Sequence, residues 1–220
     1  EAKKGLKGTK IKFPSISVGA TENAILASCG AKGTTTLSNC AIEPEVLDLI
    51  SFLKKLGFNI KIDGRKIVIK GQTAIKEKIN HKIIFDRIEA GTYLIAGALI
   101  GKKIIVKNID TKLLKFEIVT LKKMGVKISN TKNSITIFRS PNLKKLSIST
   151  KPYPGFPTDL QAQLMVLMTQ AKGLSKIKEN IFENRFMHVP ELKRMGAKIE
   201  IKNKTAFIHG PTKLTGAEIM

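Results

Sequence analysis

The chain has 220 residues, of which 42% are hydrophobic and 25% charged, and this composition excludes a wholly disordered polypeptide. Lys and Arg number 39 against 17 Asp and Glu, so the formal net charge is +22, a balance that raises the possibility of a nucleic-acid-binding module. Five Arg, two Tyr and no Trp supply few of the side chains that grip phosphates and stack on bases, so we expect no nucleic-acid partner.

The sequence also limits the compartment. Its longest apolar runs, such as residues 94–100, are too short to cross a bilayer, and no signal peptide opens the chain. Two cysteines do not make a disulfide scaffold, and we expect buried, unreactive thiols at Cys29 and Cys40. We therefore expect a cytoplasmic protein without a membrane partner. Because the chain begins with Glu1, we also expect it to be a piece of a longer protein.

Apolar periodicity and turn residues predict helices and strands in a recurring order. In chain order the predicted elements are helix 22–31, strand 34–38, helix 45–56, strands 59–62 and 66–70; helix 88–100, strand 103–107, helix 113–124, strands 127–129 and 135–138; and helix 158–171, strand 175–178, helix 190–195, strands 198–202 and 206–209.

The order reflects an internal repeat. A Leu-Gly or Met-Gly pair ends the second helix of each segment, and the glycines Gly57, Gly125 and Gly196 are 68 and 71 residues apart. A period of 69 and 72 residues separates three asparagines, Asn39, Asn108 and Asn180. The sequence therefore predicts an α/β (α+β) fold of β-α-β-α-β-β units. The helices that contain residues 94–100 and 164–167 are apolar nearly all round, which predicts that the units pack around buried helices.

The segment 152–159 interrupts the third unit before its first helix. It contains three prolines and a glycine, which favour an irregular loop, and it ends at Thr158 and Asp159. Either residue can cap the helix that follows. Asp159 can equally act as a base or hold a substrate hydroxyl beside a pocket, and both interpretations stay open.

The segment 181–188 concentrates Glu, Asn, Arg and His between a strand and a helix of the same unit. Loops of this kind often carry function. The alternative is a surface turn with an internal pair of Glu183 and Arg185. The three histidines lack metal-ligand spacing, and neither a P-loop nor a dinucleotide fingerprint is present, so we expect no metal and no cofactor.

Five segments together resemble the UDP-N-acetylglucosamine 1-carboxyvinyltransferase family of enolpyruvyl transferases, and the resemblance runs through essentially the whole chain. They are residues 17–21 (Ser-Val-Gly-Ala-Thr), 43–45 (Glu-Pro-Glu), 86–92 (Asp-Arg-Ile-Glu-Ala-Gly-Thr), 156–163 (Phe-Pro-Thr-Asp-Leu-Gln-Ala-Gln) and 182–192 (Phe-Glu-Asn-Arg-Phe-Met-His-Val-Pro-Glu-Leu). The resemblance implies an inside-out α/β barrel built from the repeated unit, in which residues 1–84 form the last part of one domain and residues 85–220 form the first two units of a second.

The resemblance also implies a reaction and its site. The enolpyruvyl group of phosphoenolpyruvate is transferred to the 3-hydroxyl of UDP-N-acetylglucosamine with release of phosphate, in the first committed step of peptidoglycan synthesis. Asp159 is implied as the base beside the sugar hydroxyl, and Arg185 as a ligand of the phosphoenolpyruvate anion. The remaining implied residues are Ser15, Ile16, Ser17 and Val18 for the nucleotide, Ile181 for the sugar, and Glu43, Asp86 and Arg87 in supporting roles of the cleft.

Two alternatives to this function remain: a related enolpyruvyl transferase acting on shikimate 3-phosphate, and a basic nucleic-acid-binding module. The family's other catalytic groups lie in segments that these 220 residues do not match. We therefore expect the chain alone to have no transferase activity.

Overall fold

The computed structural model of the protein describes residues 2–72, 76 and 78–218. It contains two compact units, Glu1–Ile84 and Phe85–Met220. Each unit has mixed α/β structure, as the sequence predicts. No helix in the described part of the chain has the length and apolar character needed to span a bilayer.

The first unit is a four-stranded sheet with two helices packed against it. Its elements are β1 (Lys10–Lys12), α1 (Val18–Cys29), β2 (Thr34–Ser38), α2 (Pro44–Lys55), β3 (Asn59–Asp63) and β4 (Lys66–Lys70). The strand order is β1-β2-β4-β3, in which β1 runs parallel to β2 and the other neighbours are antiparallel. The core includes Ile25, Leu37, Ile50, Ile67 and Ile69, which are almost fully buried.

The second unit holds two sheets and four helices within its described residues. Its elements are α3 (Arg87–Leu99), β5 (Lys103–Lys107), α4 (Lys115–Lys123), β6 (Ile128–Asn130), β7 (Ser134–Phe138), β8 (Ser147–Ser149), α5 (Gln161–Thr169), β9 (Gly173–Lys178), α6 (Val189–Arg194), β10 (Lys198–Lys202) and β11 (Thr205–Gly210). One sheet has the order β5-β7-β6, and the other has the order β10-β11-β9-β8.

The three sheets share one pattern. In each, a hairpin follows the second helix and its later strand pairs with the strand that precedes that helix, which gives β2-β4-β3, β5-β7-β6 and β9-β11-β10. An additional strand pairs in parallel with two of these sheets, β1 with β2 and β8 with β9. Among the described residues, β5 has no equivalent parallel neighbour. The repeat predicted from the sequence is thus present in the backbone.

The predicted helix stops are confirmed by their backbone geometry. Gly57, Gly125 and Gly196 have φ angles of 107°, 85° and 98°, in the left-handed region that favours glycine. After each glycine, the next residue donates its N–H to a carbonyl five residues back, at distances of 3.1, 3.1 and 2.9 Å. This is the Schellman arrangement that satisfies the last carbonyls of a helix.

The three asparagines that recur with the period of the repeat, Asn39, Asn108 and Asn180, do not all share one backbone conformation. Asn39 and Asn108 have φ angles of 60° and 61°, whereas Asn180 is not left-handed. Asn39 and Asn180 share a different feature: the side-chain amide of each donates to a carbonyl just after the parallel edge strand, Phe13 at 3.0 Å and Thr150 at 3.3 Å. In those two repeats the asparagine side chain therefore forms a hydrogen bond with the end of the added parallel strand.

Helices α3 and α5 pack together in the core of the second unit. Leu94 and Leu164 are fully buried, which confirms the predicted burial of these two helices. A Cβ atom on Gly91 of α3 would lie 2.5 Å from Leu160 Cδ1, so the absence of a side chain at Gly91 permits the close approach. Ile100, which follows α3, departs from the expectation because it is 81% exposed.

Candidate active site

Asp159 lies in a 3-10 turn, Thr158–Leu160, that precedes α5. Its neighbours anchor the turn, because Phe156 and Thr158 are only 2% and 8% exposed. Neither the turn nor α5 has a side chain bonded to its first backbone N–H groups. The cap that the sequence allowed for Thr158 or Asp159 is therefore not formed, and the Asp159 carboxylate is available for another partner.

That partner is Arg185, in the loop between β9 and α6. Its Nη2 atom lies 2.5 Å from Asp159 Oδ1, and the two side chains are 37% and 50% exposed. The Arg185 guanidinium also lies 5.0 Å from the centre of the Phe182 ring, a cation–π distance. The structure thus brings together the two residues predicted as catalytic, and Arg185 pairs with Asp159 rather than with Glu183.

The loop that carries Arg185 borders a cavity of about 470 Å³. Asn184 has a φ angle of 54°, which turns the chain just before Arg185. The opposite wall comes from the β10–β11 hairpin, at Ile201, Asn203 and Lys204. The lining also contains the exposed Met187 and four charged side chains, the cations of Arg185 and Lys204 and the carboxylates of Glu179 and Glu183.

Ile181 belongs to the same loop, and its position is set by a residue that the sequence analysis did not select. The backbone N–H of Ile181 donates to Glu179 Oε1 at 2.7 Å, and that of Phe182 donates to the same oxygen at 3.2 Å. Glu179 is 2% exposed. A glutamate next to Lys178 in a polar stretch resembles a surface residue in sequence, and no local signal identifies it as buried.

His188 is the last residue of the loop between β9 and α6. Its Nε2 atom is buried and has no hydrogen-bond partner among the described residues. Burial lowers the pKa of the imidazole, and the nearby charge of Arg185 lowers the same pKa further. The ring therefore stays neutral at pH values where a free histidine begins to titrate.

Asp86 and Arg87 lie at the start of α3 and have structural partners. Asp86 Oδ1 accepts hydrogen bonds from the backbone N–H groups of Ile88 and Glu89 at 2.7 and 3.0 Å, which makes it the helix N-cap. Arg87 is buried, with Nη1 3.8 Å from Glu117 Oε1 on α4. Burial raises the pKa of Glu117 more than the Arg87 charge lowers it. Asp86 therefore caps α3, and Arg87 links the start of α3 to α4.

The remaining predicted residues lie in the first unit. Ser15, Ile16, Ser17 and Val18 form one continuous segment that leads into α1, and Ser15 is exposed. Ser17 is the N-cap, since its Oγ accepts from the Ala20 N–H at 3.3 Å. This cap explains why α1 begins four residues before the predicted start.

Glu43 is 6% exposed and immediately precedes α2. The neighbouring Glu22 has a raised pKa, caused first by burial and then by the charges of Glu45 and Glu43. Thr21 connects the two helix starts, since its hydroxyl donates to the Ser17 carbonyl at 2.7 Å and accepts from the Ala41 N–H at 3.0 Å. The carboxylates of Glu43 and Glu45 at the start of α2 therefore interact electrostatically with Glu22 of α1.

Metal ligation and thiol chemistry find little support in the described residues. Within residues 2–72, 76 and 78–218, no three His, Cys, Asp or Glu side chains are grouped as a metal centre would need. Cys29 and Cys40 are both free and buried, and burial raises the pKa of each thiol. Buried thiols at these two positions confirm the expectation from the sequence.

The sequence matches the family profile of EPSP synthase (3-phosphoshikimate 1-carboxyvinyltransferase) over residues 1–220. It is 56% identical over 220 residues to UDP-N-acetylglucosamine 1-carboxyvinyltransferase of Pelagibacter ubique, covering all of this chain and 52% of that protein. It is 48% identical over 217 residues to UDP-N-acetylglucosamine 1-carboxyvinyltransferase 1 of Caldanaerobacter subterraneus, covering 98% and 52%. The resemblance seen in the sequence is confirmed, and the chain spans about half the length of these curated relatives.

Solved structures agree on the fold. The enolpyruvyl transferase NikO of Streptomyces tendae superposes with a TM-score of 0.83 at 24% identity, over 94% of this chain and 53% of that one. EPSP synthase of Acinetobacter baumannii gives a TM-score of 0.69 at 19% identity, over 98% and 53%. The mixed α/β fold of this chain is the fold found in about half of each of these structures.

Proposed function

The chain belongs to the EPSP synthase family, and we propose that the complete gene product transfers the enolpyruvyl group of phosphoenolpyruvate to the 3-hydroxyl of UDP-N-acetylglucosamine. Phosphate is the second product. The contact between Arg185 and Asp159 carries the proposal, because it joins an anion-binding cation to a carboxylate that can accept a hydroxyl proton.

The chemistry follows from these two groups. Arg185 holds the negative charge of phosphoenolpyruvate through charge-assisted hydrogen bonds and so orients the molecule. Asp159 takes the proton of the sugar hydroxyl as the hydroxyl oxygen adds to C2 of phosphoenolpyruvate. The addition opens the C2–C3 double bond, and C3 gains a proton. Loss of a C3 proton then re-forms the double bond as the bond from C2 to the phosphate oxygen breaks, so phosphate leaves and the enolpyruvyl group stays joined to the sugar through an ether oxygen.

The other predicted residues take binding and supporting roles. Ser15, Ile16, Ser17 and Val18 contact the nucleotide part of UDP-N-acetylglucosamine, and Ile181 contacts its sugar through the backbone. The proposed supporting residues of the cleft are Glu43, Asp86 and Arg87. No metal or cofactor is required by this scheme.

We further propose the placement of the chain within the complete protein. Residues 1–84 form the last part of one domain, and residues 85–220 form the first two β-α-β-α-β-β units of a second, in an inside-out α/β barrel. Support comes from the repeated strand order and from the match to about half of each enolpyruvyl transferase structure. The protein acts in the cytoplasm, in peptidoglycan synthesis.

We choose the UDP-sugar over shikimate 3-phosphate as the acceptor because of the sequence identity to known proteins. Relatives at 56% and 48% identity are UDP-N-acetylglucosamine enzymes, whereas the EPSP synthase structure is 19% identical. The enzyme class also gives a better account of the ordered Asp159–Arg185 contact than a nucleic-acid-binding module does.

The test is a phosphate-release assay with phosphoenolpyruvate and the complete gene product. We expect turnover with UDP-N-acetylglucosamine and none with shikimate 3-phosphate. Turnover with shikimate 3-phosphate alone would transfer the function to the alternative. Turnover with neither, together with steeply salt-dependent binding to DNA or RNA, would favour the nucleic-acid-binding module.

A further inference from the structure

Glu179 forms a buried hydrogen-bond cluster between three separate segments of the second unit. Its Oε1 atom accepts from Thr150 Oγ1 at 2.8 Å, from the Ile181 N–H at 2.7 Å and from the Phe182 N–H at 3.2 Å. Its Oε2 atom accepts from Thr158 Oγ1 at 2.8 Å. The carboxylate therefore receives four hydrogen bonds while only 2% of the residue is exposed.

Three of the four donors lie in the two segments that carry Asp159 and Arg185. Thr158 is the residue immediately before Asp159, and Ile181 and Phe182 begin the loop that carries Arg185. Thr150, just after β8, supports the cluster further, since its Oγ1 atom also accepts from the Asn180 N–H at 2.9 Å. One side chain thus fixes the two backbone segments whose separation sets the distance from Asp159 to Arg185.

The donors to Glu179 are all neutral hydroxyl and amide groups. The described ion pairs do not include Glu179, so the cluster depends on hydrogen-bond geometry more than on attraction to a cation. A glutamine can reproduce most of that geometry, because its Oε1 can accept from the Ile181 and Phe182 N–H groups and its amide can donate to the Thr158 hydroxyl. An aspartate keeps the charge but is one methylene shorter and cannot span the same groups.

We propose that Glu179 is a positioning residue that holds Asp159 and Arg185 in register for the reaction. The inference rests on the proposed function, since it takes the Asp159–Arg185 pair as the reacting and anion-binding groups. Both carboxylate oxygens of Glu179 already accept hydrogen bonds from protein donors, so Glu179 acts through the Thr158 turn and the Ile181–Phe182 amides. A misplacement of about 1 Å between reacting groups can cost roughly 100-fold in rate.

The experiment compares Glu179→Ala, Glu179→Gln and Glu179→Asp in the complete gene product. Ile199→Ala on β10 is the matched control, because it shortens a side chain that is 2% exposed in the core of the same unit and that takes no part in the hydrogen bonds of the cluster. Two readouts are taken for each protein: hydrogen–deuterium exchange of peptides covering residues 157–160 and 180–186, and kcat and KM for phosphoenolpyruvate.

We expect Glu179→Ala to speed exchange in both peptides about tenfold or more, since four donors lose their acceptor. Its kcat should fall about 100-fold, and Glu179→Asp should behave similarly. Glu179→Gln should stay within about threefold of the wild type, because the hydrogen-bond geometry survives without the charge. Ile199→Ala should lower the melting temperature while the kcat of the folded protein is kept.

Three results would overturn the inference: unchanged exchange at residues 157–160 and 180–186 in Glu179→Ala, equal losses in Glu179→Gln and Glu179→Ala, or a kcat loss in Ile199→Ala as large as in Glu179→Ala. The exchange readout decides the role of Glu179 in holding the two segments whether or not the wild type turns over. A wild type that is inactive with both sugar acceptor and shikimate 3-phosphate contradicts the proposed function alone.

Discussion

At the residue scale, the Asp159–Arg185 contact pairs two groups with opposite tasks. In the proposed reaction the carboxylate accepts a proton from the substrate, and the guanidinium holds a substrate anion. Without substrate each neutralises the other across 2.5 Å, at side chains that are half and about one-third exposed. Binding of an anion at Arg185 therefore changes the electrostatic surroundings of the proposed base directly.

Asp159→Asn separates these two tasks. We predict that kcat falls by about 10²- to 10⁴-fold, because an amide cannot accept the hydroxyl proton. The KM for phosphoenolpyruvate should not rise, since Arg185 loses a competing anion. Steady-state kinetics of the complete gene product measure both quantities. Glu191→Gln on α6, which removes a charge from the same unit, serves as the control, and an equal loss of kcat in that variant would refute the assignment.

His188 gives a second prediction, which concerns pH. Burial keeps its pKa below 6.5 in the folded protein, so between that lowered value and 6.5 the unfolded chain binds a proton that the folded chain does not. Its contribution to stability is therefore present above about pH 6.5 and is lost as the pH falls through the lowered pKa.

We predict that His188→Gln loses less thermal stability than the wild type between pH 7.5 and pH 5.5, both pH values being about one unit from the ordinary histidine pKa. The melting temperatures of the two proteins at both pH values give the comparison, with His209→Gln as a control at an exposed position. Equal losses in wild type and His188→Gln would show that the buried ring does not couple folding to protonation.

The residue scale also marks the limit of sequence analysis. Asp159 and Arg185 were identified because each belongs to a distinctive string of residues. The sequence analysis did not select Glu179, because the role of its carboxylate depends on hydrogen-bond partners 29 and 21 residues away, Thr150 and Thr158. Only the fold brings these residues close to Glu179. The cap expected of Thr158 or Asp159 did not form, since Thr158 donates to Glu179 and Asp159 pairs with Arg185.

At the element scale, helix stops and sheet strands were the most predictable features. The strands β2, β4, β5 and β10 have the bounds predicted from the sequence, because alternating side chains and turn glycines define them locally. Helix starts were less predictable. The helix predicted at residue 158 begins with a 3-10 turn instead, because Thr158 bonds to a distant acid rather than to the helix.

The crossing of α3 and α5 supplies a prediction about packing. A Cβ on Gly91 would lie 2.5 Å from Leu160 Cδ1, closer than carbon atoms can pack. We predict that Gly91→Ala destabilises the protein by about 1–3 kcal/mol, the usual cost of overpacking a core. The control is Gly19→Ala in α1, where a Cβ would meet nothing within 4 Å.

Gly19→Ala should stabilise the protein by about 0.5–1 kcal/mol, because alanine loses less backbone entropy than glycine in a helix. Denaturant midpoints of the two variants, measured in the complete gene product, give the comparison. A Gly91→Ala variant as stable as Gly19→Ala would mean that Leu160 moves aside without cost.

At the scale of the whole molecule, the chain spans about half the length of its curated relatives. We predict that the 220-residue chain produced by itself releases no phosphate from phosphoenolpyruvate in the presence of UDP-N-acetylglucosamine. The complete gene product, assayed at the same molar concentration, is the positive control. Measurable turnover by the isolated chain would show that Asp159, Arg185 and their neighbours suffice for the reaction.

The unequal edges of the three sheets have a consequence for handling the isolated chain. In two sheets an added parallel strand pairs with the strand that precedes the second helix, β1 with β2 and β8 with β9. Within the described residues the equivalent strand of the third sheet, β5, pairs on one side only, with β7. Such an edge is a template for intermolecular strand addition and aggregation. The centre of β5 is Ile104, Ile105 and Val106, and the flanking Lys103 and Lys107 provide the charges that discourage stacking of copies. Neutralising those two lysines should increase the self-association of the isolated chain.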